Sequence, residues 1–169
     1  RARRDFGKSS LFLILNRFVD IKPKEELMTR TPETTHKIMS AVKSKNTRPE
    51  LALRRAIWAR GKRYRVNVRS LPGKPDIVFL KAKIAVFCDG DFWHGHNWAI
   101  RGLVSLNAEL ERYTPFWRKK ILGNIDRDKK NTALLEEGGW IVIRLWESDI
   151  IIDVEKCADV IIGCLNNVK

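Results

Sequence analysis

Hydrophobic and polar positions follow two different periods along the chain, which predict a mixture of helices and strands. Helical patterns occur in four segments, and the helices we expect span residues 33–43, 47–60, 114–137 and 154–165. Apolar or alternating runs of strand length lie between them, and the strands we expect span residues 63–67, 76–80, 84–88 and 140–146. The short link between the second and third strands favours an antiparallel hairpin. This order of elements predicts an α/β fold in which helices flank a mixed central sheet.

Length and charge narrow the class of protein. The chain has 169 residues, so we expect one folded domain and assign it to residues 28–169. Residues 1–27 form an N-terminal extension that we exclude from the fold prediction. A formal net charge of +13 favours a polyanionic partner, most commonly a phosphate backbone. A ribosomal or membrane-surface protein would also be basic. Six tryptophans have to be packed in a core or used in binding, which weakens that alternative.

The cysteine and hydropathy patterns favour a location inside the cell. The three cysteines form no CxxC pair and no disulfide framework, which suits a reducing cytoplasm. No apolar run approaches the roughly 20 residues needed to cross a bilayer. The apolar run at residues 11–15 is too short for a signal peptide. We therefore expect a cytoplasmic monomer that does not associate with membranes.

Candidate catalytic residues gather at the ends of the predicted hairpin. Asp76 begins one strand, and Asp89 follows the next. Adjacent strands lie about 4.8 Å apart, so these two carboxylates could share a divalent cation. His94, in a glycine-marked loop that we expect to be functional, could deprotonate water, and Glu50 could approach from a nearby helix. Together these groups have the chemistry that phosphodiester hydrolysis requires.

Each of these residues also has a structural interpretation. A Pro–Asp pair most often forms a turn or a cap. Glu50 lies three residues after Thr47, so the pair could simply close a capping box at a helix start. Asp89 could be an ordinary solvated loop residue. His94 stands in a loop between Trp93 and Gly95, where a core histidine is less natural, and we favour a functional role.

Aromatic residues on this basic chain favour nucleic acid as the partner. Phe92 and Trp93 lie between Gly90 and Gly95, where they could insert between bases. Stacking contributes about 1–3 kcal/mol per base, and apolar wedges of this kind partly unstack and kink a duplex. Trp117, at the start of a predicted basic helix, could join them, with packing in the core as an equally open alternative.

Several motifs in this chain resemble those of the very-short-patch-repair (Vsr) mismatch endonucleases. Their order and spacing agree from about Thr35 to Trp146, and as a set they are highly specific although each one alone is weak. The matching segments are His36–Met39, Ser44–Asn46, Thr47–Glu50, Leu71–Asp76, Gly90–His96, Phe116–Trp117, Asn124–Asp128 and Gly139–Glu147.

The resemblance implies a restriction-endonuclease-like PD-(D/E)xK core and a Mg²⁺-dependent endonuclease. Such an enzyme nicks one strand of double-stranded DNA at a T·G mismatch, leaves a 5′-phosphate and starts the repair of deaminated 5-methylcytosine. The resemblance also implies action at the nucleoid of a bacterial cytoplasm, with mismatch-repair proteins as candidate partners.

It further implies roles for individual residues. Asp76 would be the main Mg²⁺ ligand, and Cys88 would contribute its backbone carbonyl. His94 would be the general base, with Glu50 nearby in support. The residues that would contact DNA are Met39 from the minor groove, Phe92, Trp93 and Trp117 from the major-groove side, and Lys120 and Asn124.

Two departures from the family pattern change the expected metal sites. Many members hold a structural Zn²⁺ with cysteines and a histidine. His96 keeps the histidine position, but the cysteine positions carry Asp91, Trp98 and Ser148, so we predict that structural Zn²⁺ is absent. Asp89 stands where members with the zinc site often have a histidine, and an acid there could bind metal instead.

Other functions remain compatible with the sequence. The same fold could serve a restriction or homing-type PD-(D/E)xK nuclease that cuts intact duplex DNA. A non-catalytic DNA-binding module would account for the charge and the aromatic residues, although the presence of both Asp76 and His94 argues against it. A basic structural protein would bind DNA without regard to sequence.

Overall fold

The computed structural model describes residues 45–168 of the chain. The helix expected over 33–43, the extension 1–27 and the candidate DNA contact Met39 lie outside these residues. In chain order the elements are α1 (Arg48–Ala59), β1 (Ile77–Phe79), β2 (Ile84–Asp89), α2 (Asn97–Ile100), α3 (Leu106–Leu110), α4 (Pro115–Glu137), β3 (Ile141–Trp146), α5 (Glu147–Ile152) and α6 (Val154–Asn167).

The three strands form one mixed sheet in the order β1-β2-β3. Strand β1 runs antiparallel to β2, with Ile77 opposite Val86, so the predicted hairpin is confirmed. Strand β3 runs parallel to β2, because the long helix α4 carries the chain back across the sheet between them.

The strand expected over 63–67 is wrong. Only Arg65 exchanges backbone hydrogen bonds with the sheet, and both of its bonds, 2.8 Å long, go to Val78. Two residues further on, Asn67 has a φ of +49°, which takes the backbone out of the extended conformation and ends the pairing.

Helices cover both faces of the sheet, as the sequence predicted. Side chains alternate along β2, so Ile84 and Val86 join a buried cluster with α1 and α6 on one face. Ala85 and Phe87 point to the opposite face, where they pack with Leu135 of α4. Residues at the end of β2 therefore lie between the sheet and α4.

The predicted bounds of the longest helix are confirmed. Thr114 is the N-cap of α4, Pro115 occupies its first turn, and Gly138 is its C-cap. The loop expected over 89–113 is partly helical, because it contains α2 and α3. Ser105 starts α3 by accepting a 3.2 Å hydrogen bond from the Ala108 amide. Among residues 45–168, no helix is both long and apolar enough to cross a membrane.

Candidate active site

Glu50 is buried at the start of α1, where it completes the predicted capping box. Its Oε1 accepts a 3.1 Å hydrogen bond from the Thr47 hydroxyl, and its Oε2 accepts a 2.9 Å bond from the Asn46 amide. Arg54, one turn further along, donates to Oε2 at 3.2 Å and to the Asp76 carbonyl oxygen at 3.3 Å. Glu50 therefore makes the capping contacts that the sequence left open beside a functional role, and Arg54 also ties this carboxylate to the strand that begins after Asp76.

Asp76 lies just before β1 in a half-buried position, with Glu50 and Asp89 among its charged neighbours. Its Oδ2 accepts a 2.8 Å hydrogen bond from the Cys88 amide, which fixes the carboxylate against the end of β2. Burial raises the pKa of Asp76 to about 6; the Cys88 hydrogen bond and the charge of Arg54 oppose this shift, and the charges of Glu50 and Asp89 add to it. The site thus has an excess of carboxylate charge that a cation would relieve.

The donor groups around Asp76 fit a hard cation such as Mg²⁺, which prefers oxygen ligands. Burial, together with the charges of Asp76, Glu50 and Asp89, raises the pKa of the Cys88 thiol well above its ordinary range. The thiol therefore stays protonated at neutral pH, and the backbone carbonyl is the oxygen that Cys88 could offer. Within residues 45–168 no three His, Cys, Asp or Glu side chains form a ready metal cage. Magnesium sites commonly use one or two carboxylates and take further ligands from substrate phosphate and water.

Asp89, the last residue of β2, is paired with an arginine. Arg144 on β3 donates from Nε to Oδ2 at 2.6 Å and from Nη2 to Oδ1 at 2.7 Å. This two-pronged geometry matches both carboxylate oxygens and is the strongest form of such a pair. The structure therefore gives Asp89 an arginine partner, which is an alternative to the metal binding that the sequence left open.

His94 lies half-buried in the loop after β2, and its Nδ1 contacts the carboxylate of Asp128 on α4. The same nitrogen is 3.7 Å from Oδ1 of Asp89. Burial favours a higher pKa for Asp128, but the His94 hydrogen bond and the charge of Arg144 outweigh it and lower that pKa. Because the Asp128 carboxylate is ionised, Nδ1 must carry the proton in this bond. In the neutral imidazole, the lone pair of Nε2 is then available to accept a proton.

Gly95 lets the His94 loop approach α4 closely. Its φ of +75° is in the left-handed region, and a Cβ there would come within 2.8 Å of Ile125 Cδ1. A residue with a Cβ would be strained at this φ and would require the Ile125 side chain to shift. The glycine is thus part of how the histidine is placed.

An aromatic group, which we define as Phe92, Trp93 and Trp117, lies beside His94. Its three ring pairs have edge-to-face geometry, with centroids 5.2–5.7 Å apart. Lys120 lies 5.9 Å above the Trp93 ring, and the Asn124 side chain donates a 2.9 Å hydrogen bond to the Trp93 carbonyl. The structure thus brings together all the predicted DNA-contacting residues that it describes.

Three of the positions associated with zinc in the resembled family form a hydrogen-bonded cluster here. Buried Asp91 contacts His96 Nδ1 at 2.8 Å through Oδ1. The Ser148 hydroxyl donates to the same oxygen at 2.9 Å, and the Ser148 amide donates to Oδ2 at 3.1 Å. The His96 ring also stacks on Trp146 at 4.1 Å. This cluster joins the His94 loop to the end of β3 with protein contacts.

We expect the Asp91→Ala variant to unfold at a temperature several degrees below the parent. The substitution removes three contacts and leaves buried polar partners unsatisfied, which costs about 1–3 kcal/mol. Circular dichroism melting measures the change, with Asp159→Ala, in an exposed ion pair, as the control.

We also expect elemental analysis to find no stoichiometric zinc. A zinc chelator that lowered the melting temperature of the parent would contradict the prediction that structural Zn²⁺ is absent.

Three residues of this site, Arg54, Asp128 and Arg144, were not among the sequence candidates. The signal for Asp128 is its spacing, because Lys120, Asn124 and Asp128 recur every four residues and share one face of α4. The signal for Arg144 is a charge in the middle of an otherwise apolar strand. The signal for Arg54 is that it follows Glu50 by four residues, which places the two side chains next to each other on a helix.

Comparisons with known proteins identify the family of the chain. A family model described as DNA mismatch endonuclease Vsr matches residues 29–100. The type II nicking enzyme V.NmeDIP of Neisseria meningitidis serogroup C is 47% identical over 129 residues, covering 76% of this chain and 84% of that protein. V.HpaIIP of Haemophilus parainfluenzae, also a type II nicking enzyme, is 44% identical over 127 residues, covering 75% and 86%. The DNA mismatch endonuclease Vsr of Escherichia coli K12 is 33% identical over 114 residues, covering 68% and 69%.

These similarities establish the protein as an endonuclease whose substrate is DNA. The chain belongs to the Vsr family of DNA mismatch endonucleases, which confirms the resemblance read from its motifs. The non-catalytic and purely structural alternatives are thereby excluded.

Proposed function

We propose that this endonuclease uses Mg²⁺ to nick one strand of duplex DNA at a T·G mismatch, and so starts very-short-patch repair. The observation that carries the proposal is the convergence of Asp76, the His94–Asp128 pair and the aromatic group at one end of the sheet. We further propose that this end of the sheet corresponds to a PD-(D/E)xK-like core. The relatives named as nicking enzymes support cleavage of a single strand.

The proposed chemistry divides between two groups of residues. Asp76 and the Cys88 carbonyl would hold Mg²⁺, which when bound would neutralise charge on the phosphate. His94 Nε2 accepts a proton from water as the water oxygen bonds to phosphorus and the bond to the 3′ oxygen breaks, which gives a 5′-phosphate and a 3′ oxyanion that takes a proton from solvent. Asp128 holds the imidazole through Nδ1 and stabilises the imidazolium that forms. Arg54 supports this site from α1, because it contacts the Asp76 carbonyl and pairs with Glu50.

The aromatic group would recognise the mismatch by deforming the duplex. Mismatched base pairs are less stable than Watson–Crick pairs, so less energy is required to unstack them from the adjacent base pairs. Rings inserted beside the mismatch recover part of this energy by stacking. Lys120 and the other exposed basic residues of α4 would hold the phosphate backbone, with an affinity that falls steeply as salt rises.

The test is incubation with Mg²⁺ and duplexes labelled on each strand, carrying T·G in varied contexts, together with matched T·A duplexes. We expect a single nick in the strand that carries the mismatched thymine, and no cleavage of the paired controls. Cleavage of both strands of a T·A duplex would favour a restriction or homing-type activity. Cleavage that persists undiminished in chelator would contradict the metal requirement.

A further inference from the structure

Arg144 stands at the centre of the proposed active site although it lies on a strand of the core. Alternation along β3 directs Val142 and Arg144 to the face of the sheet that α4 covers. The parallel register places Arg144 opposite Phe87, and the guanidinium carbon lies 4.7 Å from that ring centroid. The side chain is only 15% exposed, so it is poorly placed to be a general DNA contact.

One guanidinium joins the two carboxylates that flank His94. Arg144 binds both oxygens of Asp89, and its Nη2 is also 3.3 Å from Oδ2 of Asp128. The remaining nitrogen, Nη1, donates to the Thr132 hydroxyl at 3.5 Å. Because His94 Nδ1 faces the same two carboxylates, Arg144 and His94 contact them from two sides.

We propose that Arg144 is a positioning residue of the catalytic centre: it occupies both oxygens of Asp89, so that Asp128 is the carboxylate that binds His94 Nδ1. This inference rests on the proposed role of His94 as general base. Without the guanidinium, two carboxylates face one imidazole and repel each other, so the imidazole has two competing partners. A shift of about 1 Å at a reacting group can reduce a rate about 100-fold. Lysine keeps the charge but lacks the planar fork that binds both oxygens of Asp89 and reaches Asp128.

Three variants test the proposal: Arg144→Met, Arg144→Lys and, as a matched control, Arg60→Met. Arg60 also bridges two acids, Glu155 at 2.7 Å and Asp159 at 2.8 Å, but it lies on the side of α1 that packs near α6. We measure single-turnover nicking at saturating enzyme and, separately, the Kd for the same duplex. For Arg144→Met we expect a rate loss of about 100-fold with a Kd within about threefold of the parent. Arg144→Lys should recover only part of the rate, and Arg60→Met should keep both values.

Two further measurements separate this proposal from the proposed function. Proton NMR of the DNA-free protein should show one hydrogen-bonded Nδ1–H signal for His94 in the parent, and a shifted or doubled signal in Arg144→Lys as Asp89 competes with Asp128 for that proton, whatever the protein cleaves. Asp89→Asn added to Arg144→Met should restore part of the lost rate, because it removes the competing charge. Full activity in Arg144→Lys, an unchanged Nδ1–H signal in that variant, or a Kd that weakens in step with the rate would overturn the proposal. If Arg144→Met does not fold, the lysine variant still decides it.

Discussion

Replacing His94 with alanine is expected to slow nicking by about 10²–10⁴-fold, the usual contribution of a general base. His94 Nδ1 already contacts the Asp128 carboxylate, so Nε2 is the nitrogen that can accept the proton from water. The substitution should not unfold the protein, because Arg144 pairs with both Asp89 and Asp128 in the absence of the imidazole. The measurement is the single-turnover rate on a T·G duplex, with the melting temperature and Kd recorded for the same samples.

Free imidazole provides the control for this prediction. The alanine variant leaves a space between the loop and α4, and added imidazole should recover part of the rate in proportion to its concentration. Replacement of His94 should leave the Kd for DNA nearly unchanged, because the half-buried ring is held by protein carboxylates. A variant that nicks as fast as the parent would show that another group accepts the proton.

The parts of the fold that could be predicted from the sequence are those that depend on neighbouring residues. The β1–β2 hairpin follows from two apolar runs with a short link, and α4 follows from its cap, its first-turn proline and its terminal glycines. The strand expected over 63–67 failed because alternation of side chains does not reveal a positive φ at Asn67. Both outcomes have the same cause, because a pattern of hydrophobic and polar residues reports on neighbouring positions and not on the backbone angle of a single residue.

The contacts that organise the site depend on distant parts of the chain. His94 and Asp128 are 34 residues apart, and Asp89 and Arg144 are 55 apart. The first contact requires α4 to pack beside the loop, and the second requires the parallel register of β2 and β3. The sequence could therefore nominate Asp76, Asp89 and His94 as chemical groups. It could not show that Asp89 is paired with an arginine or that His94 has a carboxylate behind it.

Replacing Asp76 with asparagine is expected to have opposite effects on activity and on stability. Nicking should fall about 10³-fold or more, because a metal that stabilises phosphate charge contributes several kcal/mol and asparagine lacks the anionic ligand. Asparagine can still accept the hydrogen bond that the Cys88 amide donates to Oδ2 at 2.8 Å, so the end of β2 should keep its place. The assay is single-turnover nicking over a range of Mg²⁺ concentrations.

The stability of the metal-free protein gives this variant a second, independent measurement. The pKa of Asp76 is about 6 in the folded protein against an ordinary 3.8, so between these values the folded state binds more protons than the unfolded state. Stability attributable to this group therefore falls as pH rises from about 4 to 6 and stays low above that window. At pH 7.5 and without metal, Asp76→Asn should be more stable than the parent by up to about 3 kcal/mol.

Mg²⁺ should raise the melting temperature of the parent and of an Asp159→Asn control, but not that of Asp76→Asn. If Asp76→Asn kept the full Mg²⁺-dependent rise in melting temperature, the cation would be bound elsewhere. The charge of the Asp76 carboxylate, which its surroundings destabilise, would then not be the charge that the metal neutralises.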